Sequence, residues 1–262
     1  MFAAERIRLI KKLLLENKKV DVSELSNLLS VTEVTIRRDL EKLDNENFLI
    51  RTHGGAILNE EKLAAENWPY ESIKDDFFLE KSIIGKIASL MVRDNDTIIL
   101  GPGITCLHIA KNISEKKNLR VVTNDINIAT ELANESPNIK VVLTGGDLDP
   151  STLQLSGTLT ESILDGIYVN RSFIEVDGVH MENGYSVESI EKASVIKKIM
   201  SKSKESIAVC DYSKFNSTSF YYLCPITTFS KVISNEQVPG NYKQYFFENG
   251  IKLFITYDVY EG

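Results

Sequence analysis

Two sets of side chains in this 262-residue chain have the types and spacing to bind charged ligands. The first is Val31-Thr32-Glu33-Val34-Thr35-Ile36-Arg37-Arg38-Asp39-Leu40. Thr32 can cap a helix, and Val31 before it and Ile36 within it match a hydrophobic staple. Val34, Leu40 and Leu43, with Ile36 beside them, form an inward stripe at helical spacing. That leaves Thr35, Arg37 and Arg38 on or beside the outer face of the first turns. Guanidinium groups placed there can meet phosphates or guanine edges in a DNA major groove. The second set is five polar segments, each following a strand-like apolar run. They are Gly101-Pro102-Gly103-Ile104-Thr105, Thr123-Asn124-Asp125, Thr144-Gly145-Gly146-Asp147, Glu175-Val176-Asp177-Gly178 and Cys210-Asp211-Tyr212-Ser213-Lys214-Phe215. Glycines permit close backbone approach, and free N–H groups at the start of a helix suit an anion. Lys214 adds a cation, so the set favours a phosphorylated ligand. Singly, such residues after a strand are ordinary turn formers; five polar strand ends together make a ligand cleft.

The elements that must position these groups are readable too. Ile7, Ile10, Leu13 and Leu14 give residues 3–16 the spacing of an amphipathic helix. Val20-Asp21-Val22 reads as a short extended piece. Ser23 then caps a short helix through Leu29, with Leu25, Leu28 and Leu29 inward, and Ser30-Val31 is the tight turn into the third helix. Three helices joined this closely make a helix-turn-helix. Asn47 ends the third helix in a left-handed conformation. Phe48 to His53, Gly54-Gly55 and Ala56-Ile57-Leu58 read as a two-stranded wing, which carries Arg51 and His53. From about residue 73 strand-like runs at 97–100, 120–122, 140–143, 172–176, 206–210, 231–234 and 252–256 alternate with helical patterns at 78–92, 105–113, 125–135, 156–164 and 188–203. This predicts an α/β domain with a largely parallel sheet, where ligands bind beyond the carboxyl ends of the strands. The expected organisation is a DNA-binding domain over 1–57, a linker over 58–72 containing Trp68-Pro69, and a sensing and oligomerisation domain over 73–262.

Composition sets limits. The formal net charge is −7. Residues 1–57 hold ten Lys/Arg against nine Asp/Glu, and the remainder holds 20 against 28. DNA affinity must therefore come from placed charges rather than from a broad basic field. No apolar run is long enough to span a membrane, and the first residues lack a signal-peptide core, so a cytoplasmic protein is expected. Cys106, Cys210 and Cys224 form no C-x-x-C, and His53, His108 and His180 lack ligand spacing. No disulfide, metal site or cofactor is expected.

The first 57 residues resemble the winged helix-turn-helix of the DeoR family of bacterial transcription regulators. The matching residues are Arg6, Ile7 and Ile10, Ser23-Glu24-Leu25, Val31-Thr32 with Thr35 to Leu40, and Arg51-Thr52-His53-Gly54-Gly55-Ala56. Gly103 and Thr105, Thr123-Asn124, Gly145-Gly146, Asp177-Gly178 and Asp211 to Phe215 resemble that family's sensor domain, itself similar in fold to ribose-phosphate isomerases and CoA transferases. The resemblance implies a repressor of a sugar or carbohydrate operon, released from a double-stranded operator by a phosphorylated sugar or other anionic metabolite; since one helix-turn-helix reads only a half-site, a homodimer or homotetramer is expected. It assigns Thr32, Thr35, Arg37, Arg38, Arg51 and His53 to DNA. Together with the strand-end reading, it gives an effector set of Gly101, Gly103, Thr105, Thr123, Asn124, Gly145, Gly146, Asp177, Asp211 and Lys214, in which the 101–105 loop and Lys214 are expected to hold the phosphate and Asn124 and Asp177 the hydroxyls. The chain departs from the family pattern at five positions: Thr32 for Ser, Asn47 for Gly, Gly101 for Asp, Ile104 for a hydroxyl residue and Glu175 for Gly. Two alternatives are an isomerase-like enzyme using Glu175, Asp177 and Lys214 as an acid/base set, and a constitutive DNA-binding regulator with a vestigial sensor.

Overall fold

The computed structural model describes residues 3–45, 48–59 and 77–256. Asn47 and most of the expected linker, including Trp68-Pro69, lie outside the described residues. The chain divides into two compact units, Met1–Leu79 and Glu80–Gly262.

In the first unit, α1 (Ala3–Asn17), β1 (Lys19–Asp21), α2 (Val22–Leu29), α3 (Glu33–Asn45), β2 (Leu49–Arg51) and β3 (Gly55–Leu58) follow in order. Ile10, Leu14, Leu25, Leu29, Ile36, Leu40, Leu43, Leu49 and Leu58 share one core. The wing is a three-stranded antiparallel sheet in the order β1-β3-β2, not the two-stranded ribbon expected, because residues 19–21 add to its edge. Gly55 permits that pairing: a Cβ there would lie 1.9 Å from the Val20 carbonyl oxygen. The cap of α2 is Asp21 rather than Ser23, its Oδ1 accepting from the Ser23 and Glu24 N–H groups at 2.7 and 3.3 Å. The helix starts two residues earlier than expected and buries Val22, Leu25 and Leu29. Leu28 therefore faces outward, 65% exposed. Ser30 adopts a left-handed conformation (φ 52°), and the Ser26 hydroxyl donates to the Val31 carbonyl at 2.6 Å. Arg6 on α1 and Asp39 on α3 form a buried ion pair, with Nη2 to Oδ1 at 3.2 Å.

The second unit is built on a seven-stranded, wholly parallel sheet. Its strands are β4 (Thr97–Leu100), β5 (Arg120–Thr123), β6 (Lys140–Leu143), β9 (Val169–Glu175), β12 (Ser203–Val209), β14 (Lys231–Ile233) and β15 (Lys252–Phe254). They run in the order β15-β14-β12-β9-β4-β5-β6. Ile98, Ile99, Leu100, Val121, Val122, Phe173, Ile174, Ile207, Ala208 and Val209 are buried, as strands covered on both faces require. Helices α4 (Phe78–Leu90), α5 (Ile104–Ala110), α6 (Ile126–Glu135), α7 (Gly157–Asp165), α8 (Ile190–Lys202) and α9 (Gly240–Glu248) accompany the sheet. Two antiparallel additions go beyond the sequence reading. One is the hairpin of β7 (Asp147–Asp149) with β8 (Gln154–Ser156); the other is the sheet of β10 (Gly178–His180), β11 (Gly184–Val187) and β13 (Tyr221–Cys224).

Candidate functional site

The outer surface of α3 is the first candidate site. The Thr32 hydroxyl accepts from the Thr35 N–H at 3.3 Å and shares a 2.9 Å hydrogen bond with the Thr35 hydroxyl, so these two groups cap the helix. Ile36, Leu40 and Leu43 are buried, but Val34 is 74% exposed, contrary to its expected place in the inward stripe. Helical residues two positions apart lie about 200° apart around the axis, so Val34 and Ile36 cannot share a face. Val34 instead lies among Arg37, Arg38 and Glu41, all exposed. Arg37 Nη2 donates to Glu33 Oε2 at 3.1 Å, while Arg38 has no ion pair among the described residues. Arg51 and His53 are exposed on β2 and on the loop that follows it. This surface offers two guanidinium groups and an apolar side chain on one helix, beside a wing with a further cation.

The second candidate site lies at the carboxyl ends of the parallel strands. Sheet order makes β6, β5, β4, β9 and β12 consecutive, so the five polar segments follow neighbouring strands. The N–H of Gly103 donates to Asp125 Oδ2 at 3.1 Å. The N–H of Thr105 donates to Glu175 Oε2 at 2.7 Å. The loop, Asp125 and Glu175 are thus tied together, and two of the amides expected to hold a phosphate already hold carboxylates. Gly101 packs its N–H against the Phe173 carbonyl at 2.9 Å. Thr123 Oγ1 accepts from the Asp125 N–H at 3.1 Å, and Asn124 Nδ2 donates to the Leu155 carbonyl at 2.9 Å. Gly145 and Gly146 take positive φ after β6, and the Thr160 hydroxyl donates to the Gly145 carbonyl at 2.6 Å.

Asp177 is engaged by Lys192, whose Nζ lies 3.1 and 2.8 Å from its two oxygens, and Asp177 Oδ2 also accepts from the Glu188 N–H at 3.0 Å. Lys192 is a buried residue of the site that the sequence reading missed. It sits in the first turn of α8, where it looks like any helical lysine. Asp211 Oδ1 accepts from the Ser213 N–H at 2.9 Å in the turn Tyr212–Lys214. A bridge between Val179 and Phe215 sets this turn beside the 177–180 segment. Lys214 is half-buried and has no hydrogen-bond or ion-pair partner among the described residues.

Charge in this region is costly. Burial pushes the Glu175 carboxyl above the ordinary range, against the pull of Lys81 and Lys192. Burial likewise raises Asp125, against the amides of Gly103, Ile128 and Asn127. Burial works against the Lys192 ammonium, but Asp177, Glu175 and Glu188 outweigh it and hold the group charged. Buried groups are normally hydrogen-bonded. Among the described residues the buried side-chain atoms without a partner are Thr105 Oγ1, Asn124 Oδ1, Tyr185 OH and Asp211 Oδ2. Three of the four belong to the strand-end segments. No cluster of three His, Cys, Asp or Glu residues suited to a metal ion occurs among the described residues, and no helix among them is long and apolar enough to cross a membrane.

Comparison with known proteins gives matches over both units. Residues 6–62 match the DeoR-like helix-turn-helix domain, and residues 78–236 match the DeoR C terminal sensor domain. The HTH-type transcriptional regulator YulB of Bacillus subtilis, uncharacterized, is 34% identical over 235 residues, 90% of each chain. The HTH-type transcriptional repressor GlcR of the same organism is 30% identical over 258 residues, 98% of this chain and 97% of GlcR. The regulator GolR of Listeria innocua is 29% identical over 256 residues, 98% of this chain and all of GolR. Among solved structures, ribose 5-phosphate isomerase A of Methanocaldococcus jannaschii aligns with 52% of this chain and 53% of its own, with a TM-score of 0.39 and 17% identity. The translation initiation factor eIF-2B of Pyrococcus horikoshii aligns with 83% and 81%, with a TM-score of 0.41 and 14% identity.

Proposed function

This chain belongs to the DeoR family of HTH-type transcriptional regulators, and we propose that it represses a carbohydrate-metabolism operon and leaves its operator when a phosphorylated sugar or related anionic metabolite binds the second unit. In this reading the protein acts in the cytoplasm as a homodimer or homotetramer, since one helix-turn-helix reads only a half-site. Arg37 and Arg38 enter the major groove, Thr32 and Thr35 fix the start of their helix, and Arg51 and His53 meet the backbone from the wing. In the second unit Lys214 takes the phosphate. Asn124 and Asp211 accept from sugar hydroxyls, Thr105 adds its hydroxyl, and the 145–146 turn lies alongside.

The observation that carries this reading is the set of buried, unpartnered oxygens of Thr105, Asn124 and Asp211, since buried polar atoms normally have partners and a ligand's hydroxyls would supply them. The enzyme alternative draws less support. Two members of its acid/base set are engaged within the protein, Glu175 by the Thr105 amide and Asp177 by Lys192.

Calorimetry of the full chain against a panel of sugar phosphates tests the effector. Gel shifts of the selected operator, with and without the best ligand, test release. Lys214→Ala should keep operator binding and lose ligand-induced release. If no sugar phosphate binds below millimolar concentration, or if the Lys214 variant responds like the parent, the effector reading fails.

A further inference from the structure

Glu175 is an anion held as a bound anion would be held. At the end of β9 it is only 8% exposed. Its Oε2 accepts from the Thr105 N–H at 2.7 Å; burial pushes the carboxyl above its ordinary range, while the charges of Lys81 and Lys192 pull toward the ionised form. Its carboxylate crowds the strand-end loop so closely that a Cβ on Gly103 would come within 2.3 Å of Oε2. Thr105 itself is 1% exposed, and its buried hydroxyl has no partner. An amide donor, a hydroxyl and two lysine charges around one buried carboxylate are the surroundings that charge-assisted hydrogen bonding offers a ligand's carboxylate or phosphate. Here the chain supplies that group itself.

We propose that Glu175 is a tethered stand-in for one anionic group of a ligand, and that it sets the specificity of the sensor. The free effector then presents a neutral, hydroxyl-bearing end to the corner formed by Glu175 and Thr105. It carries its negative charge at the Lys214 end alone. A metabolite with anionic groups at both ends is rejected by like charge, because Glu175 already fills the second position. The statement about the effector's two ends rests on the proposed reading of the cleft; the statement that Glu175 fills an anion position does not.

The test uses the full chain and its Glu175→Ala and Glu175→Gln variants, with inorganic phosphate, glucose 6-phosphate and fructose 1,6-bisphosphate as probes in thermal-shift and calorimetric titrations. Inorganic phosphate should bind Glu175→Ala at least tenfold more tightly than it binds the parent. Glu175→Gln should gain a smaller amount, because it removes the charge but its amide still fills the position the phosphate would take. The parent should favour the monophosphate over the bisphosphate at least tenfold, and Glu175→Ala should lose that preference. Where Glu175→Ala does not fold, the near-isosteric Gln variant decides alone. Phosphate affinity unchanged in the folded variants overturns the proposal, as does a parent that binds the bisphosphate as tightly as Glu175→Ala does. If phosphate binds the variants while neither sugar phosphate binds any form, Glu175 fills an anion position and the effector reading is wrong. If glucose 6-phosphate and fructose 1,6-bisphosphate each release the operator equally from all three proteins, the effector reading stands and the role of Glu175 is refuted.

Discussion

Arg37 and Arg38 are adjacent, yet their surroundings differ. Arg37 is steadied by Glu33, whereas Arg38 is unpaired among the described residues. Replacing Arg38 by Ala should weaken operator binding by about 1–3 kcal/mol if it reads a guanine edge. If it meets a phosphate, the loss should be uniform across sequences and the salt slope should shrink by about one charge. Arg37→Ala should cost less, because that side chain must leave Glu33 to reach DNA. Gel shifts at two salt concentrations separate these outcomes, and unchanged affinity in both variants would remove α3 from the interface. Asp39 lies in the same run but faces the core with Arg6. Asp39→Ala should therefore cost stability, about 3 kcal/mol for stranding a buried partner, read as an earlier urea midpoint for the first unit. Residue types were legible where spacing carried the information: Thr32 as cap, Ile36, Leu40 and Leu43 as core. Val34 and Leu28 were misplaced because apolar character was counted without following the angle round the helix. The Glu175 and Lys192 environments depend on neighbours from other strands and helices, which spacing along the chain cannot supply.

At the scale of elements, the turn between α2 and α3 stores strain in a single residue. Ser30 adopts φ 52°, a conformation that glycine takes without penalty. Ser30→Gly should stabilise the first unit by about 0.5–1 kcal/mol, seen as a higher thermal midpoint. At the strand ends the sign of a pH effect follows from burial. Asp125 and Glu175 have raised folded values. Their contribution to stability is complete below the unfolded carboxyl range and is lost as pH rises through the raised folded values. Glu175→Gln should therefore reduce the loss of second-unit stability between about pH 4 and neutrality, measured by thermal melts along a pH series. The parallel strands could be read as apolar runs, the inner ones because both of their faces are covered. The hairpin of β7 and β8 and the sheet of β10, β11 and β13 could not, being strands of three or four residues, too short to show a period. Helix α9 left a signal that went unread: Tyr242 and Phe246, one turn apart, are both fully buried.

For the whole molecule, the two-unit plan was legible because periodicity changes from a helical cluster and wing to alternating strands and helices. Assembly was readable only as a geometric demand of DNA binding. The second unit exposes Leu159, Tyr168, Phe220 and Phe247, large apolar side chains that suit burial against another copy. Residues 73–262 alone should scatter light as a dimer or larger, and a monomeric fragment beside an oligomeric full chain would refute assembly through this unit. The sheet order has a further consequence, in time rather than in space. Strand β9 sits at the centre, yet its register partners on β4 precede it by about seventy residues. During synthesis β4, β5 and β6 emerge first, and β4 keeps an unpaired apolar edge until β9 arrives. At roughly 5–20 residues per second that wait is several seconds, and pairings so distant in sequence close slowly. Refolding yield of the second unit should therefore fall as protein concentration rises, while the first unit, whose contacts are local, refolds ahead of it.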